Sequence, residues 1–251
     1  MRLQSTLIGQ RSVLLIAAAL AGNTADWQVS SADMNNAHIP SATLLLLRAN
    51  PFSVLMAKRH ANLAFGGGQW VFPGGRIDAA DHLAAAAFPE VPFAAARVAA
   101  IREAGEEAAI HLDLTQAVPA LVPLVRWLAP RGPTRRFDTW FFLAMAPANC
   151  TAIADGGEIV EVAFHEPGRM LEAAREGAAG LLPPTALNLR WLDTAGSAAA
   201  ALSLASARPA PFVAPEVFWR DGQPMLRLDA TAGYGLDEYP MHAPARASLG
   251  Q

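Results

Sequence analysis

The chain has 251 residues and a net charge of −3, and it is 53% hydrophobic and 16% charged. This length and apolar content suffice for one large domain or two small ones with a sizeable core. The charge balance excludes the strongly basic class of nucleic-acid and membrane-surface binders, so neither kind of partner is expected. The single cysteine, Cys150, excludes a disulfide framework and a cysteine-based zinc site within the chain, which fits the cytoplasm.

The N-terminal segment has its own pattern. The first 33 residues combine a basic start, an apolar run over 13–21 and small residues after it, which is typical of a secretory signal peptide. The apolar run is too short to span a membrane. A poorly ordered extension and a natural start at Met34 are the other two interpretations, and all three stay open. We therefore predict an extension over 1–33 and a single domain over 34–251, in the cytoplasm unless the export signal is genuine.

The first half of the chain predicts strands and then a helix. Two β-strands are expected over 41–50 and 53–60, on either side of an Asn-Pro turn signal. A glycine-rich connection follows, with a short strand over 70–72. An alanine-rich patch over 79–88 and a break marked by two prolines lead to a helix predicted from about 93 to 112.

The second half mixes strands and helices irregularly. The predicted elements are strands over 120–130, 135–147 and 158–165, helices over 166–180 and 181–196 with an alanine-rich segment after them, and two short strand-like pieces in the tail after 207. No repeat and no domain linker is visible. This order predicts a single domain of mixed α/β or α+β class.

Three acidic residues gather in the predicted helix over 93–112. Glu103, Glu106 and Glu107 lie within five positions, and residues three or four apart share a helix face. Like charges at that spacing repel, so an arginine or a cation should offset them. Converging carboxylates suit Mg²⁺ or Mn²⁺, and Mg²⁺ commonly completes its shell with water and substrate phosphate. The competing interpretation is an exposed helix face with ordinary ion pairs.

A glycine pair lies upstream of this helix. Gly74 and Gly75 occur in "FPGGRID", and paired glycines permit positive φ and a close approach of the backbone. A phosphate or metal is expected where this bend faces the glutamates. A glycine pair alone indicates only a turn.

Together, "FPGG" and "REAGEEAAI" resemble the Nudix box. Its pattern is Gly, five residues, Glu, seven residues, then Arg-Glu-apolar-x-Glu-Glu-x-Gly-apolar. The matching positions are Gly75, Arg102, Glu103, Glu106, Glu107 and Ile110. The resemblance implies that Glu103, Glu106 and Glu107 bind Mg²⁺ or Mn²⁺. It also implies that Glu103 and Glu107 act in catalysis together with Arg102, which orients a glutamate.

The box departs from the plain pattern in two ways. Ala109 replaces the final glycine, and Ala104 is small for its apolar position. From Arg76 to Ile101 there are 26 residues, about twice as many as in the plain box. The first box glutamate therefore falls on Asp81 when counted forward and on Ala94 when counted backward. Glu90 lies between them, so Asp81 and Glu90 both stay candidates.

Such an insertion is similar to that of a Nudix subgroup related to peroxisomal coenzyme A diphosphatases. "WLAPRGPTRRFDTWFFLA" and "GGEIVEVAFHEPGRMLEAAREGAAGLLPPT" also resemble this subgroup, and the resemblance covers roughly 40–192. It implies the Nudix fold, an α+β fold in the form of an α/β/α sandwich, with a mixed central sheet between helices, an inserted segment and extra C-terminal helices.

The activity implied by the resemblance is metal-dependent hydrolysis of a diphosphate bond in a nucleoside diphosphate derivative, with coenzyme A or acyl-CoA as the leading substrate. An ADP-ribose or NADH pyrophosphatase and a non-catalytic nucleotide-binding module are the alternatives. The expected partner is a small diphosphate molecule, and a homodimer is left open.

Further candidates lie outside the box. Arg135 and Arg136 are candidates for binding phosphate, because guanidinium pairs well with phosphate oxygens, with a structural role at the end of a strand as the alternative. Gly74 and Gly75 are expected to contact the substrate. Glu158 is a candidate loop base, with an exposed strand-end glutamate as the alternative.

Overall fold

The computed structural model describes residues 38–64, 66–131 and 136–241. The predicted N-terminal extension and Arg135 lie outside these residues. The described strands are β1 (His38–Arg48), β2 (Ser53–Arg59), β3 (Gln69–Val71), β4 (Gly74–Arg76), β5 (Val122–Leu128), β6 (Arg136–Met145), β7 (Ile159–His165), β8 (Gly180–Leu181), β9 (Phe212–Val213), β10 (Glu216–Arg220), β11 (Gln223–Arg227) and β12 (Glu238–Pro240). The described helices are α1 (Ala79–Ala85), α2 (Ala94–Ala108), α3 (Leu114–Ala120), α4 (Pro167–Arg175), α5 (Pro183–Ala195) and α6 (Ala198–Ser206), with a 3₁₀ turn at Ala230–Ala232.

Strand β1 is at the centre of a mixed nine-stranded sheet. It runs parallel to β6 along most of its length and antiparallel to β2 and β4. The strand order is β8-β3-β2-β1-β6-β5-β9, with β4 also beside β1 and β7 also beside β2. Four neighbouring strands, β4, β1, β6 and β5, carry the site described below.

Helices cover both faces of this sheet, and β1 is therefore buried on both sides. Leu44 and Leu46 pack into the core cluster that holds the apolar side chains of α2. Leu45 and Leu47 point the opposite way, into the cluster that holds those of α4, α5 and α6. The predicted α+β fold, with a mixed sheet between helices and extra C-terminal helices, is confirmed.

The tail forms a second, smaller sheet. Its strands follow the antiparallel order β10-β11-β12, and the two strand-like pieces predicted from the sequence are β10 and β11. Leu226 and Leu228 of this segment are buried in the same core cluster as α5 and α6.

Three local features differ from the sequence prediction. The expected glycine bend is strand β4, in which Gly74 pairs with Thr43 of β1. Helix α2 ends at Ala108, because Ala109 adopts a left-handed conformation with φ 54°. Helix α3 was not predicted, and the side chain of Asp113 caps it by accepting hydrogen bonds from the backbone N–H groups of Thr115 and Gln116.

None of the helices in the described ranges has the length and the apolar composition that a membrane span requires.

Candidate functional site

Strand β4 and helix α2 approach each other at the two glycines. The Gly74 N–H donates to Glu107 Oε2 at 2.9 Å. A Cβ atom at Gly75 would overlap the carboxylate of Glu103, and one at Gly74 would lie 2.5 Å from the Ala42 carbonyl oxygen. Gly74 is therefore required by the close approach of the β1 backbone, and a side chain at Gly75 would displace the Glu103 carboxylate. Both carboxylates point toward β4, which is called the glycine strand below.

Arg102 donates hydrogen bonds to several acidic side chains of the site. Its Nε and Nη2 donate to the two carboxylate oxygens of Asp81, each at 3.0 Å. Its Nη1 donates to Glu103 at 2.9 Å and to Glu106 at 2.8 Å. The hydrogen bond that Arg102 donates to Asp81 is the largest cause that raises the pKa of Arg102, and burial opposes it. Arg102 thus supplies the positive charge that offsets the repulsion expected along the helix.

The structure pairs Asp81, one of the two candidates for the first box acid, with Arg102. Asp81 is 1% exposed, and its Oδ2 also accepts from the Asp78 N–H at 2.8 Å, which completes a capping box at the start of α1. Glu90 is exposed. The inserted segment therefore follows Asp81 in the chain and leaves this acid in contact with the box arginine.

Glu107 and Glu103 are carboxylates removed from water. Glu107 is 6% exposed, and burial raises its pKa to about 8, although the Gly74 hydrogen bond opposes the shift. Burial also raises the pKa of Glu103, against the effect of Arg102. The negative charge of Glu158 raises the pKa of both groups further. A positive charge at this end of the site would favour the ionised forms.

Glu158 reaches the site from the loop before β7. Its Oε1 lies 2.7 Å from Arg59 Nη1, and its carbonyl accepts from the His60 N–H at 2.7 Å. Arg59 was not predicted as a site residue. The only sequence signal for it was a basic residue at the end of the strand predicted over 53–60.

The acids fit a divalent cation by their chemistry, but they are not gathered into a ready site. Among the described residues, no group of three or more Asp, Glu, His or Cys side chains is arranged to hold a metal. The reason is that other groups already bind these carboxylates. Arg102 donates hydrogen bonds to Glu103 and Glu106, and the Gly74 N–H donates one to Glu107. Buried, like-charged oxygen donors are the set that Mg²⁺ and Mn²⁺ prefer.

A cavity of about 700 Å³ opens in front of these acids, a volume within the range of small-molecule sites. One end is charged and the other is apolar. The charged lining residues are Arg59, Arg76, Asp78, Arg102, Glu103, Glu106, Glu107 and Glu158. The apolar lining residues include Phe72, Trp127, Pro130, Phe137, Phe141, Leu182, Pro183, Leu226 and Met241.

Arg136, predicted to bind phosphate, is not part of this lining. Strand alternation directs its neighbour Phe137 into the cavity, so Arg136 points away. Its Nε donates to the Ala129 carbonyl at 2.9 Å, and its Nη1 lies 3.2 Å from His38 Nε2. Arg136 thus contacts Ala129 and His38 in the structure, and phosphate binding by Arg136 stays a prediction.

Comparison with solved structures identifies the fold. A NUDIX hydrolase from Alicyclobacillus acidocaldarius superposes with a TM-score of 0.60 at 23% sequence identity, over 69% of this chain and 99% of that one. The chain has the Nudix fold. Within the Nudix fold, the glutamate helix α2 and the glycine strand β4 carry the residues that resemble the Nudix box.

Other structural matches bear related names. A MutT protein from Methanosarcina mazei Go1 matches at 17% identity and a TM-score of 0.41, over 63% of this chain and 95% of that one. An Ap4A hydrolase from C. elegans matches at 18% identity and a TM-score of 0.41, over 62% of this chain and 96% of that one. No protein-family model matches the sequence.

Proposed function

We propose that the protein is a metal-dependent Nudix-type pyrophosphohydrolase, which cleaves a diphosphate bond in a nucleoside diphosphate derivative. One observation carries the proposal. Glu103, Glu107 and Glu158 line the same end of a 700 Å³ cavity as two guanidinium groups, those of Arg59 and Arg76. Carboxylates for a cation beside arginines for phosphate oxygens form a set suited to a diphosphate.

The chemical need follows from the charge of the substrate. The negative oxygens of a diphosphate repel an attacking hydroxide, and Mg²⁺ or Mn²⁺ held by Glu103, Glu106 and Glu107 would neutralise that charge and lower the pKa of bound water. Arg59 and Arg76 are proposed to bind the phosphate oxygens. Gly74 and Gly75 line this end of the cavity and are proposed to contact the substrate.

Two carboxylates are candidates for taking the proton from the attacking water. Glu158 enters from a loop and is about half exposed, with Arg59 at 2.7 Å. Glu103 is more buried, and Arg102 holds it in place. Arg102 is a positioning residue in this proposal, because it binds Asp81, Glu103 and Glu106 at once.

Coenzyme A or acyl-CoA is the proposed substrate, on the strength of the insertion in the box and the resemblance of the later segments to the coenzyme A subgroup. ADP-ribose and NADH are the alternatives within the same reaction class. The long apolar end of the cavity supports a substrate that extends well beyond the diphosphate.

A non-catalytic nucleotide-binding module is the second candidate function. It is favoured by the present partners of the glutamates, which leave no ready group of three metal-binding side chains within the described ranges. For catalysis, Glu103 or Glu106 would have to release its hydrogen bond with Arg102 and bind a cation in its place.

Replacement of the buried acid tests the proposal. Glu107→Gln should lower kcat for every substrate by about 1000-fold, since charge stabilisation by a bound cation contributes several kcal/mol. The measurement is product formation from coenzyme A, ADP-ribose and NADH with Mg²⁺ or Mn²⁺, with circular dichroism to check the fold. Glu161→Gln is the matched control, because Glu161 pairs with Lys58 on the surface and does not line the cavity.

The outcomes separate the candidates. Unchanged turnover in Glu107→Gln would overturn the assignment of the metal site. Tight binding of these compounds without turnover in the unsubstituted protein would favour the binding module.

A further inference from the structure

Among the described residues, only uncharged side chains line the end of the cavity away from the glutamates. Strand order shows how far away this end is: β4 carries Gly74, and β1, β6 and β5 follow in turn, with Trp127 on β5. Neighbouring strands are about 4.8 Å apart, so three steps separate Gly74 from Trp127 by about 14 Å. A diphosphate held at the glycine strand therefore leaves room for a second group beside Trp127.

Two residues of this apolar end come from the C-terminal tail. Leu226 lies in the middle of β11 and is 1% exposed, and Met241 directly follows β12. The Met241 N–H donates to the Pro224 carbonyl at 3.0 Å, which holds it against the small sheet. Both side chains line the cavity although they are distant in the sequence from the box.

The small sheet is anchored to the rest of the cavity wall. Tyr234, in the connection between β11 and β12, donates its hydroxyl to Asn188 Oδ1 of α5 at 2.8 Å. Its ring meets that of Trp127 edge-on, with ring centroids 6.2 Å apart. Helix α5 begins at Pro183, which lines the cavity as well. Leu226 and Met241 are thus held in register with Trp127 and the start of α5.

We propose that the C-terminal sheet is the specificity element of this site, and that Leu226 and Met241 contact an apolar part of the substrate on the far side of the diphosphate. The inference rests on the proposed function. It assigns a role to a part of the chain that the Nudix-box resemblance does not cover. An apolar group transferred from water to this wall gains about fourfold in binding for each buried methylene, whereas a charged group would lose its hydration without finding a partner.

Strand β11 and the residue that directly follows it offer a matched pair of variants for the test. Leu226 and Leu228 are of the same type and both buried, at 1% and 3% exposure, and they belong to one core cluster. Only Leu226 lines the cavity. Truncation of either one to alanine removes the same atoms from the same core, so a difference between the two variants reports on the cavity wall.

The experiment compares kcat/KM for coenzyme A with that for hexanoyl-CoA, with ADP-ribose as a substrate without an apolar tail. Leu226→Ala should lower the preference for hexanoyl-CoA over coenzyme A by roughly tenfold, chiefly through a higher KM for hexanoyl-CoA. Leu228→Ala should keep the preference of the unsubstituted protein. Equal preferences in the two variants would overturn the inference.

A second pair serves if Leu226→Ala does not fold. Met241→Ala tests the wall, and Met225→Ala is its control, because Met225 lies on β11 but does not line the cavity. If the unsubstituted protein binds the compounds without cleaving them, affinities from calorimetry replace kcat/KM and the same comparison decides. If it neither cleaves nor binds any of them, the proposed function itself fails, and this inference fails with it.

Discussion

The two ends of the cavity are built in opposite ways. At the charged end, the segments 74–81 and 102–107 supply most of the lining, and directed hydrogen bonds fix their side chains. At the apolar end, the described lining residues from Trp127 to Met241 come from five separate parts of the chain and are held by packing. Function at the first end depends on exact placement, and function at the second depends on shape and volume.

This difference predicts different kinds of damage. Charges act over fixed distances and need particular partners, so a small displacement at the charged end should affect turnover of every substrate. Apolar contact is non-directional, so a change at the other end should alter which substrate is preferred.

The largest effect concerns pH and stability without metal. Because burial raises the pKa of Glu107 from its ordinary value of 4.5 to about 8, the native state holds a proton that the unfolded state has lost between these values. The free energy of unfolding should therefore fall as pH rises through this window, by on the order of 4 kcal/mol. Urea unfolding in EDTA at pH 5 and pH 8 measures the change.

Two comparisons isolate Glu107 as the cause. Glu107→Gln carries no titrating group at this position, so its stability should depend less on pH. Added Mg²⁺ should raise the stability of the unsubstituted protein at pH 8, because a cation favours the ionised form. A pH dependence that is the same in both proteins would contradict the role given to Glu107.

The next effect concerns the close approach at the glycine strand. Gly75→Ala places a methyl group against the Glu103 carboxylate, so this carboxylate must leave its position in the site. We expect kcat to fall by about 100-fold for all substrates, as for a displacement of about 1 Å at a reacting site. Steady-state kinetics on coenzyme A and ADP-ribose measure it. Gly157→Ala is the control, because a Cβ atom there meets only a side-chain oxygen at 4.0 Å; equal losses in the two variants would argue against the contact.

The smallest effect lies at the end of the glutamate helix. Ala109 has φ 54°, a conformation that costs a residue with a Cβ atom about 1 kcal/mol or more. Ala109→Gly should therefore raise the free energy of unfolding by about 1 kcal/mol. Thermal or urea unfolding measures the gain. Ala173→Gly, within α4, should lower stability by about the same amount, and a loss in both variants would show that the left-handed end carries no strain.

Strand and helix positions were predictable wherever the pattern was local. The runs around Leu44, Leu55 and Phe142 are dense in β-forming residues, and Pro167 marks the first turn of α4. Helix α3 was missed because Pro119 lies inside it, which argues against a helix, while Asp113 supplies a cap that favours one. Strand β4 was missed because glycines have no strand propensity of their own, and pairing with β1 decides their conformation.

The sequence by itself determined one part of the charged end of the site, the acids of helix α2 and their arginine. Residues three and four apart share a helix face whatever the surroundings, so the grouping of Glu103 and Glu107 with Arg102 follows from their spacing. Only the tertiary structure decided between Asp81 and Glu90, because an insertion removes the register by which positions are counted. It also placed Arg59 in the lining of the cavity, a residue that no pattern in the sequence singles out. The apolar end depended on the fold alone, because Leu226 resembles any other core leucine until the chain brings it beside Trp127.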